Sequence, residues 1–501
     1  MPKKLSFFEH DRKHMLSAHD ARSAGSRIIA WDTTHGVRGI MRRKTKIIAT
    51  IGPACADATV LRGMMLAGMD IARLNLSHGT RESHGRHVEM LRAVAGKLGR
   101  SVGILFDLQG PELRIENLSE PMQVRKGDTI IFSATNPSGL RLSMDIAPSV
   151  QKGDILFLDD GMIRLQVAGV KGGDVSCTVL NSGIIGLRKR LNIPNPPAPG
   201  KAVSKRTAEE IRFALAHDPD FIALSYVDSR KDVDDARKLV GGSDTLLVSK
   251  LETQHAIANL DGIIEASDAV MVARGDLGMQ IPMEKLPIVQ HAVVKKCNSK
   301  GTPVIVATHM LNSMIENPLP TRAEVNDVTT AVIMGADAVM LSGETAAGKY
   351  PVESIQTMGK IACNTEQDVD ISHVADSKIE VVSTAQIMSK SLALLAYHKK
   401  PEAIIIVTED SILAKMLSRY RLTIPIYVFT STEHISREMS LYWGVFPFLQ
   451  KIPSNYDSCI AAVMATLKRS KLVSKGNDVI VSIHDGVGER MHTIMDIRKV
   501  E

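Results

Sequence analysis

The stretch that decides the fold is DAVMVARGDLG, Asp268 to Gly278. Ala269 to Ala273 is a run of small and β-branched apolar residues without polar alternation, the pattern of a strand buried on both faces. It then breaks into Arg274, Gly275, Asp276, Leu277 and Gly278. Doubly buried strands belong to parallel sheets, and parallel sheets carry their chemistry at the carboxyl ends of the strands. A charged pair among glycines at such an end marks a candidate site. Other strands should then end in polar residues that converge on it.

Seven further runs of this kind surround it. They are KIIATIG after Thr45, DIARLNLSHG from Asp70, VGILFDLQG from Val102, DFIALSYV from Asp220, LLVSKLE from Leu246, PVIVATHM from Pro303 and AVMLSGE from Ala338. Between them lie stretches with helical apolar spacing, such as DATVLRGMMLAGM and HAIANLDGIIEAS. Thr321 with Glu324 three residues on, after Pro320, reads as a capping box that starts a helix. Neighbouring runs lie roughly 25–35 residues apart, one strand-helix unit each. Eight such units predict a (β/α)8 TIM barrel, with an open doubly wound sheet as the competing fold.

One gap of about a hundred residues follows Gln109. Its texture is different: PMQVRKGDTIIFSA and KGDILFLDDGMIRLQVAGVKGGDVSCTVLNSG are short alternating runs broken by tight-turn dipeptides. That predicts an inserted small β-barrel lid on the catalytic face, with the Pro-rich IPNPPAPG, Ile193 to Gly200, as its return hinge. After about Cys363, AIIIVTED, PIYVFTS and DVIVSIHDG alternate with helical runs and read as a separate C-terminal α/β domain. The expected organisation is an N-terminal extension over 1–41, barrel over 42–112 and 201–363, lid over 113–200, and the last domain over 364–501.

The whole chain agrees with a folded globular protein. It has 501 residues, 44% hydrophobic and 23% charged, too many for one core. A net charge of +6 is too mild to argue a nucleic-acid partner, but it fits a local anion pocket. Five scattered cysteines without a Cys-x-x-Cys pair point to a reducing compartment, and no apolar run approaches the ~18 residues of a membrane helix. A cytoplasmic protein without membrane contact is expected. The first 41 residues lack a signal-peptide centre. Glu9, Asp11, Asp20 and Asp32 speak against an organelle transit peptide, which remains the alternative to a surface arm.

The strand ends are polar throughout: Thr50; Arg73, Asn75 and Ser77; Asp107; Ser225; Lys250 and Glu252; Asp276; Thr308; Ser342 and Glu344. In a barrel all of them open onto one mouth. Glu252 and Asp276, on adjacent strands, can share one hard divalent cation that takes its other ligands from water and substrate. Lys250 shares a strand face with Glu252 and suits a negative charge that develops during reaction. Arg73 offers a planar fork to a phosphoryl group. Gly275 lets backbone approach a ligand, and a helix turn starting there would offer amides to a carboxylate. Asn75, Ser77 and Asp107 either hold a monovalent cation or bond one another; spacing alone does not choose.

These residues closely resemble the pyruvate kinase family. The motifs are KTKIIATIGP, MDIARLNLSHG, DLQGPELR, DFIALSYV, VSKLE, VMVARGDLG, VIVATHML, PTRAEVNDV and GADAVMLSGETAAGKYPVES. They cover Thr45 to about Pro351 apart from the insert, and the likeness continues more weakly to the end. It implies a barrel with a lid after the third strand, a C-terminal α/β domain and a homotetramer. It also implies the final step of glycolysis, phosphoryl transfer from phosphoenolpyruvate to ADP giving pyruvate and ATP. By resemblance Lys250 stabilises the enolate and the migrating group, Glu252 and Asp276 hold Mg2+ or Mn2+, Arg73 binds phosphate, and Thr308 stands on the proton path. Gly275 and Ser342 belong to the substrate mouth. Asn75, Ser77, Asp107 and the Leu108 carbonyl match a K+ site, while Asn75, Arg114 and Lys189 touch nucleotide.

Three departures stand out. Leu108-Gln109 follows the potassium-independent pattern of relatives, but Glu112 follows the dependent one, where the independent ones have a lysine; the charge argument favours a bound K+. His309 replaces the usual Gln after Thr308. In the last domain TEDSIL, from Thr408, has Asp410 where sugar-phosphate-regulated relatives have a phosphate cradle, which argues against such an effector. Two rival readings are a metal-dependent lyase or aldolase on a pyruvate enolate, which needs no nucleotide lid, and a non-catalytic scaffold, which would be free to lose Lys250, Glu252, Asp276 and Thr308.

Overall fold

In the computed structural model, residues 43–501 are described, apart from 111–112, 134–138, 160, 194–201, 369, 371, 375–378, 380, 488–489 and the side chains of 485–493. The N-terminal extension, Glu112 and most of the Pro-rich hinge therefore lie outside the described residues.

All eight predicted strands form one closed parallel barrel in chain order. They are Lys46–Thr50, Ile71–Asn75, Gly103–Asp107, Phe221–Leu224, Leu246–Leu251, Ala269–Ala273, Val304–Ala307 and Ala338–Leu341. The doubly wound alternative is excluded because Lys46–Thr50 pairs with both Ala338–Leu341 and Ile71–Asn75, which closes the sheet.

Period-two alternation divides each strand between two cores. Ile47, Ala72, Ile104, Val272 and Val306 face the outer helices. Ile48, Ile71, Leu105, Ala223, Val248 and Ile305 fill the barrel interior. Both sets are essentially solvent-free. Deleting such side chains costs about 2–5 kcal/mol each, so the strands are fixed in register by packing. The same parity has a consequence at the carboxyl ends. Two residues beyond Ile48, Ile71, Leu105, Ala223 and Val248 stand Thr50, Arg73, Asp107, Ser225 and Lys250. The apolar interior therefore continues upward into a polar layer, built from the same inward-facing positions.

The outer helices start and stop on local signals. Asp57 caps Ala58–Ala67, accepting from the amides of Thr59 and Val60. The Thr321–Glu324 capping box forms at the start of Arg322–Ile333, with Thr321 N donating to Glu324 at 2.7 Å. The single helix expected over HAIANLDGIIEAS is two, Gln254–Ala258 and Leu260–Ala266, broken at Asn259. The Asn259 amide side chain is engaged by the Asp228 carbonyl, 2.9 Å away. A short polar residue that bonds a neighbouring loop competes with helix continuation.

The insert leaves after Gly103–Asp107. It forms a six-stranded antiparallel sheet, Leu113–Arg114, Arg190–Asn192, Ile155–Leu158, Ile163–Lys171, Asp174–Val179 and Thr129–Phe132 in spatial order, plus a two-stranded ribbon of Met122–Val124 with Gly183–Ile185. Its inward residues make a core of their own, including Phe132, Leu156, Leu165 and Val175.

The C-terminal α/β sheet has the order Val445–Leu449, Ile426–Thr430, Ala403–Val407, Asp478–Val487, Arg490–Lys499. The helix Pro351–Asp368 runs straight through residue 363. The barrel interior is continuous with this domain's core through Leu392, Ile404, Leu417 and Tyr442. A buried ion pair, Arg421 to Asp337 at 2.8 Å, joins the same two units from the amino ends of the barrel strands. Among the described residues no helix is long and apolar enough to cross a membrane.

Candidate active site

The polar layer and the lid enclose a cavity of about 310 Å3. Arg73, Asn75, Ser77, Ser225, Lys250, Glu252 and Asp276 line it from the barrel, and Arg114, Lys189, Arg190 and Asp159 from the lid. Most of the predicted site is therefore brought together. Thr308 stands behind Gly275. Ser342 and Glu344 serve the adjoining loops: Glu344 is buried and accepts from the amides of Leu311, at 3.1 Å, and Ser342, at 2.8 Å.

The base of the cavity is one network. Asn75 and Asp107 are register partners on adjacent strands. Asp107 accepts from Arg73 Nε at 2.7 Å, and the Arg73 fork also donates to Thr50 Oγ1 at 2.9 Å. Lys250 Nζ donates to Ser225 Oγ at 2.7 Å and pairs with Glu252 at 2.8 Å. It also stands 3.0 Å from Asp107 Oδ1, an ion-pair contact without hydrogen-bond alignment, so that oxygen keeps acceptor capacity although wholly buried. Burial opposes the charge of Lys250, but Asp107 and Glu252 outweigh it and hold the ammonium above the ordinary lysine range. Burial likewise opposes the Asp107 carboxylate; Lys250 and Arg73 outweigh it and hold the group below its ordinary value. Both groups are charged through the neutral range.

Glu252 is aimed by a second contact, the Tyr226 amide at 2.8 Å. Tyr226 adopts a left-handed backbone (φ 56°). Its ring lies against Gly110, where an added Cβ would sit 2.3 Å from Tyr226 Cδ2. Only glycine fits there, so the first residues leaving for the lid are locked to the Glu252 loop. In the second cluster, Asn75 Oδ1 accepts from the Ser77 amide at 3.1 Å, and the Leu108 carbonyl accepts from Ser225 Oγ at 2.9 Å.

The question raised by RGDLG is resolved by two opposite side-chain directions. Helix Arg274–Gln280 starts directly at the end of its strand. Arg274 turns away from the cavity, donating to the Ala307 and Thr308 carbonyls and to Asp327 at 2.7 Å. That fork braces the Thr308 carbonyl at a point where Thr308 and His309 are both left-handed, φ 71° and 53°. Asp276 faces the cavity. The Gly275 amide, expected to meet a ligand, donates to Thr308 Oγ1 at 2.8 Å, and that hydroxyl donates to the Ala307 carbonyl at 2.6 Å.

From the lid, Lys189 pairs with Asp159 at 2.8 Å, and Arg114 donates to the Arg188 carbonyl at 3.1 Å. Arg190 ion-pairs with Asp276. Asp159 and Arg190 were not among the expected site residues. Strand alternation would send Lys189 and Arg190 to opposite faces, but Arg188 is left-handed (φ 56°) and the regular strand begins only at Arg190. Both consecutive side chains therefore reach the cavity.

Two family models match the chain: "Pyruvate kinase, barrel domain" over residues 42–355 and "Pyruvate kinase, alpha/beta domain" over 386–497. With a cationic cavity closed by a lid at the carboxyl end of a parallel barrel, they define a phosphotransferase. Curated relatives include the pyruvate kinases of Sporosarcina psychrophila, 39% identical over 91% of this chain and 81% of that one, and of Geobacillus stearothermophilus, 38% identical over the same shares. The chain belongs to the pyruvate kinase family.

Proposed function

We propose that the cavity under the lid transfers the phosphoryl group of phosphoenolpyruvate to ADP, giving pyruvate and ATP in the last step of glycolysis, with Lys250, Arg73 and Thr308 as catalytic residues. The bond from phosphorus to the enol oxygen breaks, a bond to the terminal ADP oxygen forms, and the enolate carbon then takes a proton. Such transfer needs positioning and charge neutralisation more than covalent help. The observation that carries the reading is Lys250. It is a buried ammonium held charged by Asp107 and Glu252, at the base of a cavity whose roof carries Arg114 and Lys189.

An ammonium has three hydrogens, and here they face Ser225, Glu252 and Asp107. The Asp107 contact is the poorly aligned one, so it is the contact a developing enolate oxygen replaces at least cost. Arg73 spends three of its five donors on Asp107 and Thr50, which leaves two for phosphate. Thr308, poised behind Gly275, serves the proton path. Gly275, Asp276 and Ser342 belong to the substrate mouth, and Asn75, Arg114 and Lys189 contact nucleotide. A lid bearing cations favours this reaction over the aldolase alternative, which has no use for one.

Glu252 and Asp276 fit a hard divalent cation, Mg2+ or Mn2+, because two carboxylates enter one cavity with space left for water and substrate oxygens. Asn75, Ser77, Asp107 and the Leu108 carbonyl would hold K+: Asn75 and Asp107 are register partners, and Ser77 and Leu108 follow them at the same strand ends. When bound, the divalent ion neutralises phosphoryl charge. A homotetramer is part of the proposal: helix Thr384–Lys399 exposes Ile387, Leu394 and Tyr397, and strand Arg490–Lys499 exposes Ile494 and Ile497, apolar surface suited to a second copy. Five buried, free cysteines suit the cytoplasm. The test is pyruvate formation from phosphoenolpyruvate, with and without ADP, Mg2+ and K+. Activity must require ADP and the divalent ion; ADP-independent pyruvate release would overturn the reading.

A further inference from the structure

Three features tie the lid to a single short helix, Arg274–Gln280. Arg190, at the head of lid strand Arg190–Asn192, ion-pairs through Nη2 with Asp276 Oδ1. Gln280 Nε2 donates to the Ile193 carbonyl at 3.1 Å. Gly161 lies against Met279, whose sulfur would be 3.4 Å from an added Cβ. Two of these contacts are neutral and peripheral. The third places a full cation on one of the two carboxylates assigned above to the divalent ion. Arg190 is aimed for this by its own strand: it pairs in register with Arg114, and its Nε donates to Asn192 Oδ1 at 3.2 Å. Lys189 pairs with Asp159 and Arg114 donates to the Arg188 carbonyl, both within the lid, whereas Arg190 also reaches the barrel.

We propose that Arg190 is a lid-positioning residue that competes with the divalent cation for Asp276, so that lid position and metal occupancy are coupled through one carboxylate. With Asp276 bonded to the guanidinium, the lid is latched to the barrel and the carboxylate is engaged. A cation that takes Asp276 releases the latch and leaves the Arg190 guanidinium on the cavity wall turned from Asp276, suited to the phosphate chain of a nucleotide. Metal loading therefore precedes, and favours, a lid able to admit nucleotide. The inference rests on the reading that Asp276 is a metal ligand.

The test uses the full-length protein with Mn2+ alone, free ion being counted by electron paramagnetic resonance. The lid is followed by hydrogen exchange of the Arg190–Asn192 and Arg274–Gln280 amides. In the parent, Mn2+ should raise exchange at both segments. Arg190→Gln should exchange fast from the start, respond little to Mn2+, and bind Mn2+ about 1.5- to 5-fold more tightly, the range set by a partly exposed ion pair. Arg190→Lys, which keeps the charge, should restore part of the Mn2+-dependent exchange, a rescue that a merely structural role would not produce. Asp276→Asn should bind Mn2+ weakly and lose the exchange response. Parental Mn2+ affinity in Asp276→Asn overturns the metal assignment itself. Impaired binding in Asp276→Asn, with parental affinity and parental exchange in Arg190→Gln, overturns the competition alone.

Discussion

Replacing Lys250 with Met removes the ammonium and keeps most of the stem. Its worth in the reaction follows from the distances the site already sets. Lys250 Nζ meets carboxylate oxygens at 2.8 and 3.0 Å, so an enolate oxygen in the same place would stand about as close. A unit charge at about 3 Å in a medium of effective dielectric about 20 gains about 5 kcal/mol, an upper figure because part of that interaction is already present with substrate bound. At about 1.4 kcal/mol per tenfold, the expected loss in kcat is of order 10^3 to 10^4. A second effect competes. The variant leaves buried Asp107 with Arg73 and strips Glu252 of Lys250, and breaking a buried pair costs about 3–5 kcal/mol of stability. Thermal unfolding must therefore accompany the assay, with the double variant Lys250→Met/Glu252→Gln to relieve the stripped carboxylate. The assay couples pyruvate to reduction by NADH under saturating ADP and Mg2+. A folded Lys250→Met within tenfold of parental kcat would refute the catalytic role.

Glu252→Gln or Asp276→Asn should each weaken Mg2+ binding at least tenfold in calorimetric titration, since each removes one of two charged ligands; titrations that overlay the parent would put the ion elsewhere. K+ should stimulate over Na+ at matched ionic strength, and Glu112→Lys should reduce that requirement, as the lysine of the potassium-independent pattern implies. Full parental activity without K+ would strike the cation site. Arg274→Lys keeps charge but loses the fork that braces the carbonyl of left-handed Thr308, a backbone state costing on the order of 1–3 kcal/mol. It should lower kcat about 10- to 100-fold, with a lower unfolding temperature; unchanged kcat would mean Thr308 needs no such posture. The lowered pKa of Asp107 stabilises the fold above the ordinary aspartate range, and that contribution disappears as pH falls through its folded value. Lys250, raised, loses its contribution only as pH rises above the ordinary lysine range. Unfolding midpoints of the parent should thus drop more steeply below pH 4 than those of Asp107→Asn.

How much of this was legible depends on what each segment's neighbours are. The barrel strands were readable because burial on both faces forces near-continuous apolar runs, and the end of such a run is where polarity must reappear. Strand Val445–Leu449 was not, because Pro447 reads as a strand breaker. It is tolerated because this strand lies at the sheet edge, paired only to Ile426–Thr430. The last strand, Arg490–Lys499, pairs antiparallel with the preceding one in an otherwise parallel sheet, and the expected α/β alternation did not anticipate it.

The site divides along the same line. Arg73, Asp107, Lys250 and Glu252 lie in or directly after regular strands, where parity alone fixes which way a side chain points, so their convergence needs no tertiary knowledge. Asp159, Arg190 and the turned-away Arg274 lie at breaks in regularity, beside left-handed residues or at a strand-to-helix turn, where parity is reset by the backbone. Arg274 and Asp276 sit two apart in RGDLG and serve opposite sides of that turn, one bracing Thr308 and one facing the cavity. A charged pair at a strand end therefore does not by itself identify which member is chemical. The partners of the two differ: Arg274 finds backbone carbonyls and Asp327. The Asp276 partner, Arg190, is borne by the lid. In the proposed exchange Asp276 is the carboxylate that passes from Arg190 to a cation, and that asymmetry, invisible in sequence, is what makes the Arg190 exchange experiment the sharper test of the site.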